Sequence, residues 1–180
     1  MSDQPTALVV KPENIPQELK DRGKWCNWCF RMVNGVWKKP PITPCTYNNA
    51  KISDISTFST FDEAYNYYYK RFQHNPNDLY IQGIGIGAFN DLVLIDLDHC
   101  VDADGALSLI AQEFMVSTGG VYAELSPSGT GVHAYVFNDG SLDPEWYRKK
   151  NVKLGMEMYF MKRYLTVTGH MIRAGGVRLM

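Results

Sequence analysis

Two carboxylates close an apolar run in Leu94-Ile95-Asp96-Leu97-Asp98. Side chains alternate across a strand, so Asp96 and Asp98 are expected on one face, together with Leu92 and Leu94. Neighbouring carboxylates repel and are costly to desolvate unless a cation joins them. A divalent metal is the simplest such cation, and hard oxygen donors favour magnesium or manganese over zinc. The alternative is a strand-end turn with two solvated aspartates, and Asp-x-Asp alone does not decide between them.

Three further segments carry polar groups of a related kind. Ser126-Pro127-Ser128-Gly129-Thr130-Gly131-Val132-His133 is a small, glycine-rich turn that runs into a strand. Glycines allow backbone N–H groups to converge on an anion, hydroxyls add donors, and His133 can donate to a phosphate oxygen. An ordinary tight hairpin with a half-buried histidine would look the same. In Gly155-Met156-Glu157-Met158-Tyr159-Phe160 the apolar residues Met156, Met158 and Phe160 share a face and Glu157 projects from the other. Glu157 is thus a candidate third metal ligand or a solvent-facing edge charge. In Arg163-Tyr164-Leu165-Thr166-Val167-Thr168 one side of a strand carries Tyr164, Thr166 and Thr168. Arg163 is permanently charged and suited to phosphate or to a surface ion pair.

The elements that must position these groups are legible from periodicity. Pro12 to Leu19 reads as a short helix opened by proline. Trp25 to Arg31 reads as a strand, and Asn34-Gly35 turns it into a partner strand at 36–39. Pro40, Pro41 and Pro44 end that hairpin. Thr60 and Glu63 form a capping box for a helix whose Phe61, Ala64, Tyr65, Tyr68 and Phe72 recur at helical spacing. That stripe is better read as core than as a base-stacking surface. Gly83 to Ala88 suggests a strand approached closely by another backbone or by a ligand. Leu92 to Leu97 is a central strand. A helix follows, with Leu107, Ile110, Ala111 and Phe114 inward and Gly119-Gly120 as its stop. Strands follow at 121–125, 132–137, 156–160 and 163–168. The order predicts an α+β fold, a mixed or antiparallel sheet with helices on one side.

Composition narrows the classes. The chain has 180 residues, 45% of them hydrophobic, and a net charge of −1. It can therefore bury a core, and it does not advertise nucleic-acid binding by bulk charge. Phosphate contacts would need a local basic patch or bound cations. No apolar run approaches membrane-spanning length and Met1 to Thr6 is polar, so a cytoplasmic protein is expected. Cys26 and Cys29 form one CxxC without a second close pair, which favours buried reduced thiols over a zinc site.

Taken in order, the four polar segments resemble the primase-polymerase branch of the archaeo-eukaryotic primase superfamily, in the forms carried by phages and plasmids. Those proteins show Asp-x-Asp at a strand end, Ser-x-Ser-Gly-x-Gly-x-His, a lone acid before an aromatic, and Arg-Tyr-x-Thr-x-Thr-Gly. Trp25 and Trp28, Lys38-Lys39-Pro40 and Ser56-Thr57 also recur there, so the resemblance runs from about Trp25 to Gly169. It implies a two-lobed fold. An N-terminal α/β unit of about residues 1–80 packs on a sheet related to RNA-recognition folds, about 81–180, with the site in the cleft between. It also implies that Asp96, Asp98 and Glu157 hold two divalent ions (Mg2+ or Mn2+). Ser126, Ser128, Gly129, Gly131 and His133 would grip the incoming triphosphate, with Arg163, Thr166 and Thr168 beside it. The implied reaction is template-dependent nucleotidyl transfer by two metals, in which positioning and charge neutralisation supply most of the catalysis. Nucleoside triphosphates, single-stranded DNA template and primer are the implied substrates, and a replicative helicase the implied partner. Lys38 and Lys39 would either touch template phosphates or form a solvated turn. Family members continue into a helical segment used in priming, whereas this sequence stops at Met180, so extension is expected of it and de novo priming of further elements.

Competing readings are a metal-dependent glycosyltransferase, a non-catalytic nucleotide- or strand-binding module of the same fold, and a metal-dependent nuclease. The first lacks a glycine-rich strand-to-helix turn near the N-terminus. The last leaves the Ser-Gly-Gly-His turn without a task.

Overall fold

The computed structural model describes residues 3–74, 80–119, 121–145, 150–151 and 155–172. The protein is α+β, and every strand pairing among these residues is antiparallel. A first sheet is formed by β1 (Trp25–Trp28), β4 (Pro41–Ile42), β5 (Gly83–Gly87) and β11 (Tyr164–Val167), in the order β11-β5-β1-β4. A second is formed by β6 (Leu92–Leu97), β7 (Tyr122–Leu125), β8 (Val132–Phe137), β9 (Lys150–Asn151) and β10 (Met156–Tyr159), in the order β7-β8-β6-β10-β9. Between β1 and β4 the chain makes a separate two-stranded ribbon, β2 (Arg31–Val33) and β3 (Val36–Lys38). The first sheet thus takes strands from both sides of residue 80.

One core joins both sheets. Trp25, Ile84, Ile86, Leu165 and Val167 of the first sheet meet Leu92, Leu94, Tyr135 and Tyr159 of the second. Helix α2 (Phe61–His74) covers the first sheet. Phe61, Ala64 and Tyr68 are buried, and Phe61 meets Trp25 edge-on at 5.0 Å, so the tyrosine-rich stripe packs the core. Asn27, fully buried on β1, donates its Nδ2 to the Ala64 and Gly83 carbonyls, tying helix to sheet. The other face of the second sheet packs Val93, Ile95, Leu97, Val132 and Ala134 against helix α3 (Leu109–Ser117).

Several elements differ from the sequence reading for local reasons. The segment from Pro12 splits into a 3-10 turn (Pro12–Asn14) and helix α1 (Gln17–Arg22), because Pro16 takes the extended N-cap conformation between them. The tryptophan strand stops at Trp28. Arg31 starts the ribbon, whose turn has positive φ at both Asn34 and Gly35, as the Asn-Gly pair requires. Pro41 is the first residue of an edge strand, a place where a missing N–H costs nothing. In α3 the buried residues are Ala111 and Met115, whereas Ile110 is 36% exposed and Leu107 is buried ahead of the helix. Gly119, with φ +60°, follows its end; Gly120 lies outside the described residues. The glycine face of β5 is covered by rings: a Cβ at Gly83 would meet the Trp28 indole, and at Gly85 the Tyr164 ring and the Leu165 carbonyl. All four cysteines are free thiols, three buried and Cys45 exposed. No helix among the described residues is long and apolar enough to cross a membrane.

Candidate active site

The second sheet carries a transverse row of polar residues on the face turned toward the first sheet. The register pairs Glu124 with His133, His133 with Asp96, and Asp96 with Glu157. Directly opposed residues of an antiparallel pair share a face, so the register alone aligns all four. Asp98 lies one residue past the end of β6, in an exposed turn. Its N–H donates to the Gly155 carbonyl.

Asp96 is the electrostatic centre of this row. Burial pushes its carboxyl up to about 7, and the negative charges of Asp98 and Glu157 push the same way, against Lys39 and Arg163. Glu157 meets the Arg163 guanidinium at 3.7 Å, and Arg163 also donates to the Tyr159 hydroxyl at 2.9 Å. Burial lowers the Lys39 ammonium, while Asp96 and Asp98 pull it back up. Tyr164 holds this lysine's backbone by donating its hydroxyl to the Lys39 carbonyl.

His133 is buried, and desolvation lowers its imidazole to about 4, so the neutral ring prevails at pH 7. Its Nδ1 lies 2.8 Å from the Thr166 carbonyl, which can only accept, so Nδ1 carries the hydrogen. The Nε2 lone pair then faces Asp96 Oδ1 at 3.5 Å. Two acceptors opposed in this way leave room for a positive charge between them, either a proton or a cation.

A cavity of about 530 Å³ opens onto this row, a size that suits a small-molecule ligand. One wall is made by Arg31, Val33, Lys38, Lys39, Pro40 and Pro41; the other by Asp96, His133, Arg163, Tyr164, Leu165 and Thr166. Thr166 is buried there with its Oγ1 unpartnered.

The remaining expected residues lie behind or beside the cavity. Ser126, Ser128, Gly129 and Gly131 are not in its lining. Their turn is closed on itself, with Gly129 N–H donating to the Ser126 carbonyl and Gly131 N–H to Ser126 Oγ. Leu97 pairs with Val132, so the turn begins one step further along, beside Asp98. Thr168 is buried and engaged, its Oγ1 donating to the Leu125 carbonyl at 2.7 Å. Among the described residues no three Asp, Glu, His or Cys side chains converge as a ready-made metal centre.

Sequence reasoning missed Glu124. It is fully buried and accepts four hydrogen bonds: from the Tyr122 and Tyr135 hydroxyls and from the Thr168 and Gly169 backbone N–H groups. It clamps the end of β11 onto the second sheet. Alternation on β7 sets Glu124 opposite in face to Ala123 and Leu125, but no pattern reveals that both faces of this sheet are covered.

Taken together these features describe an α+β protein built on two antiparallel sheets, in which Asp96, within electrostatic reach of Asp98 and Glu157, lines a cavity faced by a basic wall. Over an alignment of 159 residues the chain is 28% identical to the DNA primase-polymerase of Nitratiruptor phage NrS-1. The match takes in 84% of this chain and 20% of the length of that curated relative. No protein-family model matches the chain.

Proposed function

We propose that this chain is the catalytic core of a DNA primase-polymerase, a template-dependent nucleotidyltransferase that uses nucleoside triphosphates and divalent magnesium or manganese. The observation that carries the reading is that Asp96 lines a cavity whose opposite wall is basic, with Glu157 paired beside it and the charge of Asp98 acting on it from the edge. The similarity to a phage protein named DNA primase-polymerase supports the same class.

The donor set fits hard divalent cations. All three carboxylates offer oxygen, and burial keeps Asp96 short of full ionisation at neutral pH until positive charge arrives. That the three do not close a metal centre alone agrees with ions shared with substrate phosphates, the usual arrangement for magnesium. In this reading Asp96, Asp98 and Glu157 hold the ions, whose chemistry is to neutralise phosphate charge and to acidify an attacking hydroxyl.

The protein's own groups do the rest. Arg163, half exposed and paired with Glu157, can turn its planar fork to a phosphate. Thr166 Oγ1 offers an unused hydroxyl to the nucleotide. His133 can donate to a phosphate only when Nε2 carries a proton, and an adjoining triphosphate favours that proton by opposing the effect of burial. Ser128 and Gly129, at the tip of the turn beside Asp98, are assigned to the far end of the triphosphate, with Ser126 and Gly131 holding the turn.

Primer extension on a DNA template, with and without Mg2+ or Mn2+, tests this reading. Asp96→Ala combined with Asp98→Ala is expected to abolish metal-dependent extension while circular dichroism stays unchanged. Extension by the double variant at the parent rate would end the proposal.

A further inference from the structure

Residues 22–53 contain Arg22, Lys24, Arg31, Lys38, Lys39 and Lys51 and no Asp or Glu. With six cations there and a total of −1, the rest of the chain carries −7. Part of this excess is spent elsewhere: Arg22 pairs with Glu18 and Asp91. Lys39 faces Asp96 and Asp98, and two more of the six, Arg31 and Lys38, lie on the β2–β3 ribbon. Its register sets Arg31 directly opposite Lys38 and Val33 opposite Val36, so all four share one face. Arg31, Val33 and Lys38 line the cavity described above, which fixes that face as the inner one.

This arrangement is unfavourable for the protein alone. Like charges directly opposed across an antiparallel pair destabilise it, and a two-stranded ribbon outside a larger sheet is marginal to begin with. Arg31 has a neutral partner, donating to Asn49 Oδ1 at 3.1 Å. The first acid after this stretch, Asp54, accepts from Ser56 N and Oγ as a cap. Val33 and Val36 add an apolar rung, 43% and 53% exposed, next to the cationic one. A cationic rung beside an apolar rung matches a polymer that alternates phosphates with sugars and bases.

We propose that the inner face of this ribbon binds the backbone of a single nucleic-acid strand and guides it into the cavity. Arg31 and Lys38 meet successive phosphates, and Val33 and Val36 lie against sugars and bases. A duplex keeps its bases stacked inside and would leave the valine rung unused. The inference rests on the nucleotidyl-transfer reading for the direction of the strand, toward Asp96, but strand binding by the ribbon is measurable without catalysis.

The test is fluorescence anisotropy of labelled oligo(dT) and oligo(rU) strands of about 20 nucleotides, titrated with protein between about 50 and 200 mM salt. Arg31→Ala with Lys38→Ala is compared with the parent and with Lys20→Ala with Lys70→Ala, which removes the same charge from helices outside the cavity. The ribbon variant is expected to bind about tenfold more weakly at the lowest salt. Its plot of log affinity against log salt should be shallower by about 1.4, two phosphate contacts at about 0.7 each. The helix variant should match the parent. Stronger retention of oligo(dT) than of oligo(rU), or the reverse, tells which polymer the rail is shaped for. Equal loss in ribbon and helix variants, an unchanged slope, or no strand binding by the parent would overturn the proposal. Should the double variant fail to fold, Lys38→Gln alone must still lower the slope by about 0.7. Primer extension and calorimetric binding of a nucleoside triphosphate are run in parallel. A parent that binds strands through the ribbon but never extends a primer refutes the enzymatic reading and leaves the rail standing. A parent that extends primers while the ribbon variant binds strands normally refutes the rail alone.

Discussion

Glu124 gives the sharpest quantitative expectation. It is fully buried, and burial outweighs its four donors to raise its carboxyl from 4.5 to about 7. An acid raised on folding holds its proton more tightly in the native state, so its contribution to stability is complete below pH 4.5. That contribution declines as pH rises through about 7 and is then flat. Moving a carboxyl over that range is worth about 3 kcal/mol. The four donors favour the ionised form, but the surroundings also have a place for the proton. Tyr135 has one hydroxyl hydrogen and two acceptors in reach, Glu124 Oε1 and the Thr166 carbonyl, each at 2.9 Å. A proton on Oε1 can be donated to the Tyr135 oxygen, which frees the phenolic hydrogen for Thr166. In Glu124→Gln the amide nitrogen faces at least one backbone N–H, from Thr168 or Gly169, and leaves it unpaired at a cost of about 1–3 kcal/mol. The variant should therefore be less stable than the parent by that amount at pH 5. At pH 8, where the parent has lost its own advantage, the two should be nearly equal. Urea denaturation at the two pH values measures both. Asp96 titrates in the same range in both proteins and cancels in the comparison. A gap between parent and variant that stays the same at pH 5 and pH 8 would refute the linkage.

Asp96→Asn should separate stability from activity. It removes a charge that burial, Asp98 and Glu157 all oppose, and its amide can donate to the His133 Nε2 lone pair, so the metal-free protein at pH 8 should melt higher by about 2–4 °C per kcal/mol gained while primer extension is lost. Thr166→Val should leave melting unchanged or slightly raised, because the hydroxyl has no partner, and should weaken calorimetric nucleoside triphosphate binding by about tenfold if that hydroxyl serves the ligand. Gly85→Ala places a methyl 2.8 Å from the Leu165 carbonyl and 2.9 Å from the Tyr164 ring, and should cost about 1–3 kcal/mol in urea denaturation; a neutral result would mean that β11 does not lie as close as described.

What the sequence made legible was local. Asn34-Gly35 encodes its own turn, Thr60 and Glu63 open α2, and Leu92 to Leu97 has the length and apolar density of a central strand. The candidate carboxylates could be named because strand alternation and a familiar motif order pick them out. What stayed hidden depends on pairing between distant segments. Nothing near Tyr164 says that it will join Gly87 across the first sheet, and without that pairing the cavity has no second wall. Glu124 was invisible for the same reason, since its donors Thr168 and Gly169 come from more than forty residues away. The glycines of β5 were noticed, but whether rings or a ligand cover them depends on the same remote neighbours.

The pairing of β5 with both β1 and β11 bears on how the molecule is made. As the chain leaves the ribosome, β1, β4 and β5 can assemble while one edge of β5 waits for a strand about eighty residues later. Closing so distant a contact is slow, and an open strand edge can meanwhile pair with a neighbouring chain. Maturation of the cavity is therefore a late event in synthesis. A nascent polypeptide halted before Tyr164 would expose that edge on a half-built sheet and offer chaperones a defined place to bind.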